Sequence, residues 1–403
     1  MCFTTMDKNM SLKCKLANLA LNFDMSGMVQ PCNHTTWYLK NLKDDRHYNV
    51  KTDDVKGIWN SEHRKKLLED HKNGVRNPTC NTCWDCEDAG IESPRQQFNE
   101  YLKAVEVLES QPRIMIVKPG NLCNNACRSC NAHTSSMWYK TDYALDDQGK
   151  SFKEYLKFFD RHKTAYTNNS ILERTFAEWE DNIIFWDMYG GEPMIVPLFF
   201  KLLVQACNNK NASKKKFQVH TNGMVYKADL VEKFSQFKSA HIGFSVDAIG
   251  TKNDYIRYGS KWDDIIGNLR KYISDCKKYS NVSISIRTTY TPWNIYYIDE
   301  IYDYFKREFG ITAIGGWCDD KPWNDIRYIP RRVKENIILK LSKYENNDAE
   351  WIERFEDLKK WIATEPDNYE NLQNSFIEFN SKIDNIRKEK FDSVFPEYSK
   401  LFT

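Results

Sequence analysis

The stretch "RIMIVKPGNLCNNACRSCN", residues 113–131, joins a short apolar run to a loop that carries Cys123, Cys127 and Cys130 in a C-x3-C-x2-C pattern. The run 113–117 has the apolar, β-branched make-up of a buried strand. Three thiols this close are one too few for a closed tetrahedral metal site. Iron–sulfur clusters are also held by thiolates, and a cubane cluster normally takes four. Three protein ligands would leave one iron open to another molecule, just as catalytic zinc sites keep an open position. A loop leaving a strand end is the expected place for such a site in a parallel α/β fold.

Downstream, strand-like runs alternate with amphipathic helical stretches. The strand candidates are 113–117, "NIIFWDM" (182–188), "KFQVH" (216–220), "AHIGFSV" (240–246), "VSISIRTTY" (282–290) and "ITAIGGW" (311–317). Helical patterns lie between them at 197–207, 229–237, 262–276 and 295–309. This alternation implies parallel βα units with right-handed crossovers. Periodicity alone leaves an open doubly wound sheet and a partial barrel both standing. Residues 141–181 are too long for a simple crossover and read as a helical insertion at the sheet's mouth. From about 331 the chain turns charged and helix-patterned, with alternating signs that read as a solvated helical cap.

The first hundred residues differ. "LANLALNFDMSGMVQPCNH" (16–34) reads as two strands around a turn at Ser26-Gly27, and 53–74 as a helix closing at Gly74. Together they read as a small separate module.

The chain has 403 residues, 41% apolar and 14% aromatic, enough for a sizeable core. A net charge of +2, from 58 basic and 56 acidic residues, gives no electrostatic case for nucleic acid. No stretch resembles a signal peptide or a membrane span, so a reducing cytoplasm is expected. There, clustered cysteines point to metal rather than disulfides. Cys2, Cys207, Cys276 and Cys318 are scattered and read as small buried hydrophobes.

Three more segments follow predicted strands on the same rim. "YGGEPM" (189–194) offers the Gly190-Gly191 pair for close backbone approach and Glu192 as an acceptor for an ammonium group. "HTNGM" (220–224) follows the third strand, and "SVDAIG" (245–250) offers Ser245 and Asp247 after the fourth. Each alone is a weak signal, since such residues are common in turns and helix caps. Their shared rim makes the set specific.

C-x3-C-x2-C after a first strand, GGEP after a second and S-x-D after a fourth resemble the radical S-adenosylmethionine (SAM) superfamily over roughly residues 110–330. The resemblance implies a partial (β/α)6 TIM-like barrel. It implies that Cys123, Cys127 and Cys130 hold a 4Fe–4S cluster whose open iron chelates SAM. By the same carry-over, Gly190, Gly191, Glu192 and Pro193 line the SAM amino group, and Ser245 and Asp247 lie near its ribose and carboxylate. One departure is Ser129, where relatives often have an aromatic residue near the adenine. "SSMW" (135–138) resembles a Ser-Ser-x-Trp element found in a subset of these proteins.

Cys14, Gly27 and Cys32 form C-x12-G-x4-C, and Cys80, Cys83 and Cys86 lie in "CNTCWDCED". These resemble the twitch or SPASM auxiliary-cluster modules, here placed before the barrel, including a CxxCWxxE and SxR pattern at Cys80–Glu87 and Ser93–Arg95. On that match Cys14, Cys32, Cys80 and Cys83 hold a second, auxiliary 4Fe–4S cluster and Cys86 is surplus. A structural zinc site is the alternative for the same four thiols. The implied organisation is an auxiliary module over 1–105, a radical SAM core over 106–330 and a helical extension over 331–403.

The implied activity is reductive SAM cleavage to a 5′-deoxyadenosyl radical, then hydrogen abstraction from a substrate, read as oxidative modification of a peptide or protein. A sugar or nucleotide substrate is the alternative, and a non-catalytic metal-binding scaffold is the alternative of another class. The partners implied are the substrate and an external one-electron donor of flavodoxin or ferredoxin type. Arg257, Arg287 and Asn294 lie near strand ends, where surface salt bridges or turns are expected.

Overall fold

The computed structural model describes residues 13–35, 37–145, 149, 151–163, 176–344 and 349–403. Residues 146–148, 150 and 164–175 of the insertion expected over 141–181, and the N-terminal twelve residues with Cys2, lie outside these.

The N-terminal region contributes β1 (Ala20–Phe23), β2 (Val29–Gln30), β3 (Lys40–Asn41) and β4 (Arg46–His47). The later strands are β5 (Ile114–Val117), β6 (Phe185–Met188), β7 (Lys216–Thr221), β8 (Ser239–Ser245), β9 (Val282–Tyr290) and β10 (Ala313–Trp317). All six expected strands are present, and β5 to β10 pair in parallel in chain order. This is the partial (β/α)6 barrel, with β10 as one edge of the sheet. Helices such as Pro197–Asn208, Trp262–Cys276 and Ile298–Phe309 cover it. Hence all four residues of β5 are buried, as in strands packed on both faces.

The sheet does not stop at β5. β1 pairs with it in parallel, Ala20 opposite Ile114 and Phe23 opposite Val117, and β2 adds antiparallel beyond. The N-terminal segment therefore shares the ladder of the barrel sheet. Residues 15–19 are helical, not strand as the pattern suggested, because Cys14 caps that turn. The helix expected over 53–74 is two, Val55–Trp59 and Glu62–Lys72: Ser61 accepts from the Arg64 amide and starts a new helix. Gly74, at φ +72°, follows the second helix as expected.

The C-terminal helices are more than a solvated cap. Trp351, Phe355, Leu358, Trp361 and Ile362 on Ala349–Ala363 are buried in the main core. Helix Ser375–Arg387 reaches the cysteine loop through Arg128, which is fully buried. Arg128 bonds Asn380 at 2.8 Å, Asp384 at 2.6 Å and Glu389 at 2.7 Å. Among the described residues no helix is long and apolar enough to cross a membrane.

Candidate functional site

The loop after β5 is held by bonds that the sequence motifs explain. The Ser136 hydroxyl accepts from the Cys123 amide at 3.2 Å, and the Ser135 hydroxyl donates to the Asn125 carbonyl at 2.6 Å. Trp138 Nε1 donates to the Cys127 carbonyl at 2.7 Å. Ser135, Ser136 and Trp138 thus each fasten a different point of the cysteine loop. On its other side, the Ala126 and Arg128 amides donate to the Tyr258 and Ile256 carbonyls, each at 2.7 Å.

Cys123 and Cys127 are buried and Cys130 is half-buried. Burial pushes the Cys123 thiol up to about 12. A hydrogen bond from Cys130 holds the Cys127 thiol below its usual range despite burial, helped by Arg257.

The GGEP turn packs onto this loop. Gly191 has φ +57°, and a Cβ there would lie 2.5 Å from the Leu122 carbonyl oxygen and 2.7 Å from that of Gly120. Only glycine permits this approach. The Glu192 amide donates to the same Leu122 carbonyl at 2.8 Å. The Glu192 carboxylate is buried and accepts from the Met194 amide (3.0 Å), the Thr221 hydroxyl (2.8 Å) and the Asn222 amide (2.6 Å). It therefore braces the β6 and β7 loops together, and Pro193 opens the short turn that follows. Asn222 also donates to the Asn124 side chain at 2.6 Å, a contact the sequence did not signal.

Ser245 ends β8, opposite Arg287 on β9. Asp247 is buried against Arg257 at 2.7 Å and accepts from the Thr289 amide at 3.0 Å. The expectation of a surface salt bridge for Arg257 is corrected: it lies in the interior. Burial opposes its charge, but Cys127 and Asp247 outweigh this and hold it above its usual range. Arg287 is half-buried, with its Nε lacking a partner. Asn294 is a turn residue, as expected, bonded to the Thr291 amide and the Thr289 carbonyl. Ser129 offers its carbonyl to Asn324 at 3.2 Å.

The four N-terminal thiols also gather. Cys32 is pushed well up by burial and by its neighbours Cys14, Cys80 and Cys83. Cys14 caps its helix through an Ala17 amide at 3.4 Å, and Cys80 meets His71 Nε2 at 3.4 Å. The CxxCWxxE and SxR residues form a latch. Glu87 takes Ser93 Oγ at 2.6 Å and both Arg95 Nε and Nη2 at 2.9 Å, while Arg95 lies 5.2 Å from the Trp84 ring. Arg95 Nη1 reaches the Lys13 carbonyl at 3.2 Å, tying the Cys14 segment to the Cys80–Cys83 helix. Cys86 is fully buried, and burial, then Cys83 and Asp319, push its thiol up to about 12.

Among the described residues, no three His, Cys, Asp or Glu side chains converge as for a single metal ion. A cubane does not require that convergence, since each thiolate binds its own iron. The barrel loop fits such a group: it supplies three soft thiols, and beside them both polar atoms of the Asn125 amide are buried without a partner.

The model of the radical SAM superfamily matches residues 117–305, and that of an iron–sulfur cluster-binding domain, SPASM, matches residues 14–87. No curated protein matches the chain. Among solved structures, native anSMEcpe with bound AdoMet is 19% identical over 52% of this chain and 52% of its own, with a TM-score of 0.38. The chain thus spans about half the length of that structure. Streptococcus suis SuiB bound to S-adenosylmethionine is 15% identical over 83% of this chain and 71% of its own, with a TM-score of 0.38. The same protein bound to precursor peptide SuiA is 13% identical over 96% and 74%, with a TM-score of 0.35. The two matched domains imply SAM, a 4Fe–4S cluster and auxiliary iron–sulfur binding. Residues 117–305 therefore match a radical SAM domain, and an iron–sulfur cluster-binding SPASM domain at 14–87 precedes it.

Proposed function

We propose that the chain is an enzyme that cleaves SAM reductively at a 4Fe–4S cluster held by Cys123, Cys127 and Cys130, and modifies a peptide or protein oxidatively. The bound cluster and SAM would together supply a 5′-deoxyadenosyl radical that abstracts hydrogen. The observation that carries this reading is the convergence on one rim of the three-thiol loop, the GGEP turn packed on it at Gly191, and the Asp247–Arg257 pair beside it.

The chain's own residues have distinct parts in this reading. Gly190, Gly191 and Pro193 shape the backbone that meets the SAM amino group, and Glu192 fixes that backbone through its three internal bonds. Ser245 and Asp247 stand toward the ribose and carboxylate, with Arg257 holding the Asp247 carboxylate in place. Cys14, Cys32, Cys80 and Cys83 would hold the auxiliary cluster, which would supply an electron acceptor and so allow a net oxidation of the substrate. The likeness of the N-terminal cysteine module to those of peptide modifiers favours a peptide substrate. An external flavodoxin- or ferredoxin-type donor supplies the first electron, and the reducing cytoplasm is the expected compartment.

Anaerobic reconstitution tests the reading. About eight irons per chain in wild type and about four in a Cys123/Cys127/Cys130→Ala variant are expected. Given SAM and dithionite, only wild type should release 5′-deoxyadenosine. A chain that takes up no iron and releases no nucleoside overturns it.

A further inference from the structure

Arg387 ends the helix Ser375–Arg387, behind the loop of Cys123 to Cys130. Its guanidinium carbon lies 4.8 Å from the Trp138 ring centroid and 4.4 Å from that of Tyr258. Both residues bond the loop backbone: Trp138 at the Cys127 carbonyl and Tyr258 at the Ala126 amide, each at 2.7 Å. All three guanidinium nitrogens are buried, and none has a hydrogen-bond partner. Glu389 acts on Arg387 through space without a hydrogen bond to it, and its carboxylate is held by Arg128 at 2.7 Å, beside Asp384 at 2.6 Å. Burial and the Arg128 charge bring Arg387 down to about 10, so it stays cationic at neutral pH. Glu389 and, after it, Cys127 act on it in the opposite sense.

A buried cation without a hydrogen-bonded counter-ion is unfavourable unless anions lie within reach. Two aromatic faces offset part of that. What lies beyond them is the thiolate loop, whose ligands are anionic when they bind metal, and uptake of one electron adds one more negative charge there. Charges outside the ligand shell tune a metal site through a dry interior.

We propose that Arg387 is a positioning charge for the barrel site, favouring the reduced state of the group held by Cys123, Cys127 and Cys130. This rests on the proposed assignment of those three cysteines as cluster ligands. The step is the gain of one electron from an external low-potential donor, with no bond made or broken in the protein and no proton moved.

The test is a dithionite-poised redox titration of the reconstituted full chain, followed by electron paramagnetic resonance. The signal that SAM perturbs identifies the barrel site. In Arg387→Gln, the equilibrium constant for reduction should fall about tenfold, or about 59 mV for a one-electron couple. Arg387→Lys should restore most of it. Glu389→Gln keeps Arg387 and removes a nearby carboxylate, so it should move the potential upward even if the Gln variant does not fold. A loaded cluster with unchanged potential in Arg387→Gln, or no upward shift in Glu389→Gln, overturns the proposal alone. A wild-type chain that loads no iron on the three cysteines overturns the cluster assignment beneath it.

Discussion

Trp138 Nε1 donates to the carbonyl of Cys127 across 2.7 Å, eleven residues back along the chain. The bond fixes the middle cysteine of the loop from the side that the ring packs against Phe379. Trp138→Phe keeps most of the ring and loses the donor, leaving a buried carbonyl short of a partner. We expect a loss of about 1 kcal/mol in stability and reduced iron at the barrel site, with N-terminal iron unchanged. Chemical denaturation and iron analysis in a background lacking each cysteine set would check this.

Gly191→Ala places a methyl group against two backbone oxygens that cannot swing away. Together with a left-handed φ, the substitution should destabilise by about 1–3 kcal/mol. It should also abolish 5′-deoxyadenosine release while the N-terminal cysteines still take up iron. Equal nucleoside release by variant and wild type would refute the close packing of GGEP on the loop.

Glu87 and Arg95 are a buried ion pair, with their side chains 10% and 3% exposed. Removing one partner strands the other, at a cost of about 3–5 kcal/mol. Arg95→Met should therefore lose N-terminal iron first and leave the barrel site loaded. Cys86→Ala, by contrast, should retain the auxiliary iron that Cys83→Ala loses. Iron counts on the two cysteine variants, side by side, decide between the pairs within C-x2-C-x2-C.

The His241 ring lies between two serine hydroxyls, Ser283 at 2.9 Å and Ser285 at 2.8 Å, and burial lowers its pKa to about 4. The folded chain resists protonation there, while the unfolded chain takes a proton near 6.5. The unfolded state thus binds more protons between these values, and stability falls as pH drops from about 6.5 to about 4. The urea midpoint of His241→Asn should depend less on pH over that window than that of wild type.

The strands β5 to β10 were legible because buried parallel strands need apolar, β-branched runs, and Cys123, Cys127 and Cys130 because no other side chain supplies their chemistry. The role of Ser135, Ser136 and Trp138 was not, since each acts through a bond to a residue ten or more positions away. Arg257 was misread as a surface group because its burial depends on Asp247, Cys127 and the fold around them. The break at Asn60-Ser61 was readable in principle, as serine is a preferred helix N-cap, but the charged run beyond it masked the boundary.

The pairing of β1 with β5 also has a consequence for biogenesis. Ala20 meets its strand partner, Ile114, more than ninety residues later in the chain. As the polypeptide leaves the ribosome, Cys14, Cys32, Cys80 and Cys83 all emerge before β5 exists to seat the strand between the first two. Native closure of the N-terminal module therefore waits on translation of the barrel's opening strand, and metal delivery before that point would meet a nascent chain without its native scaffold.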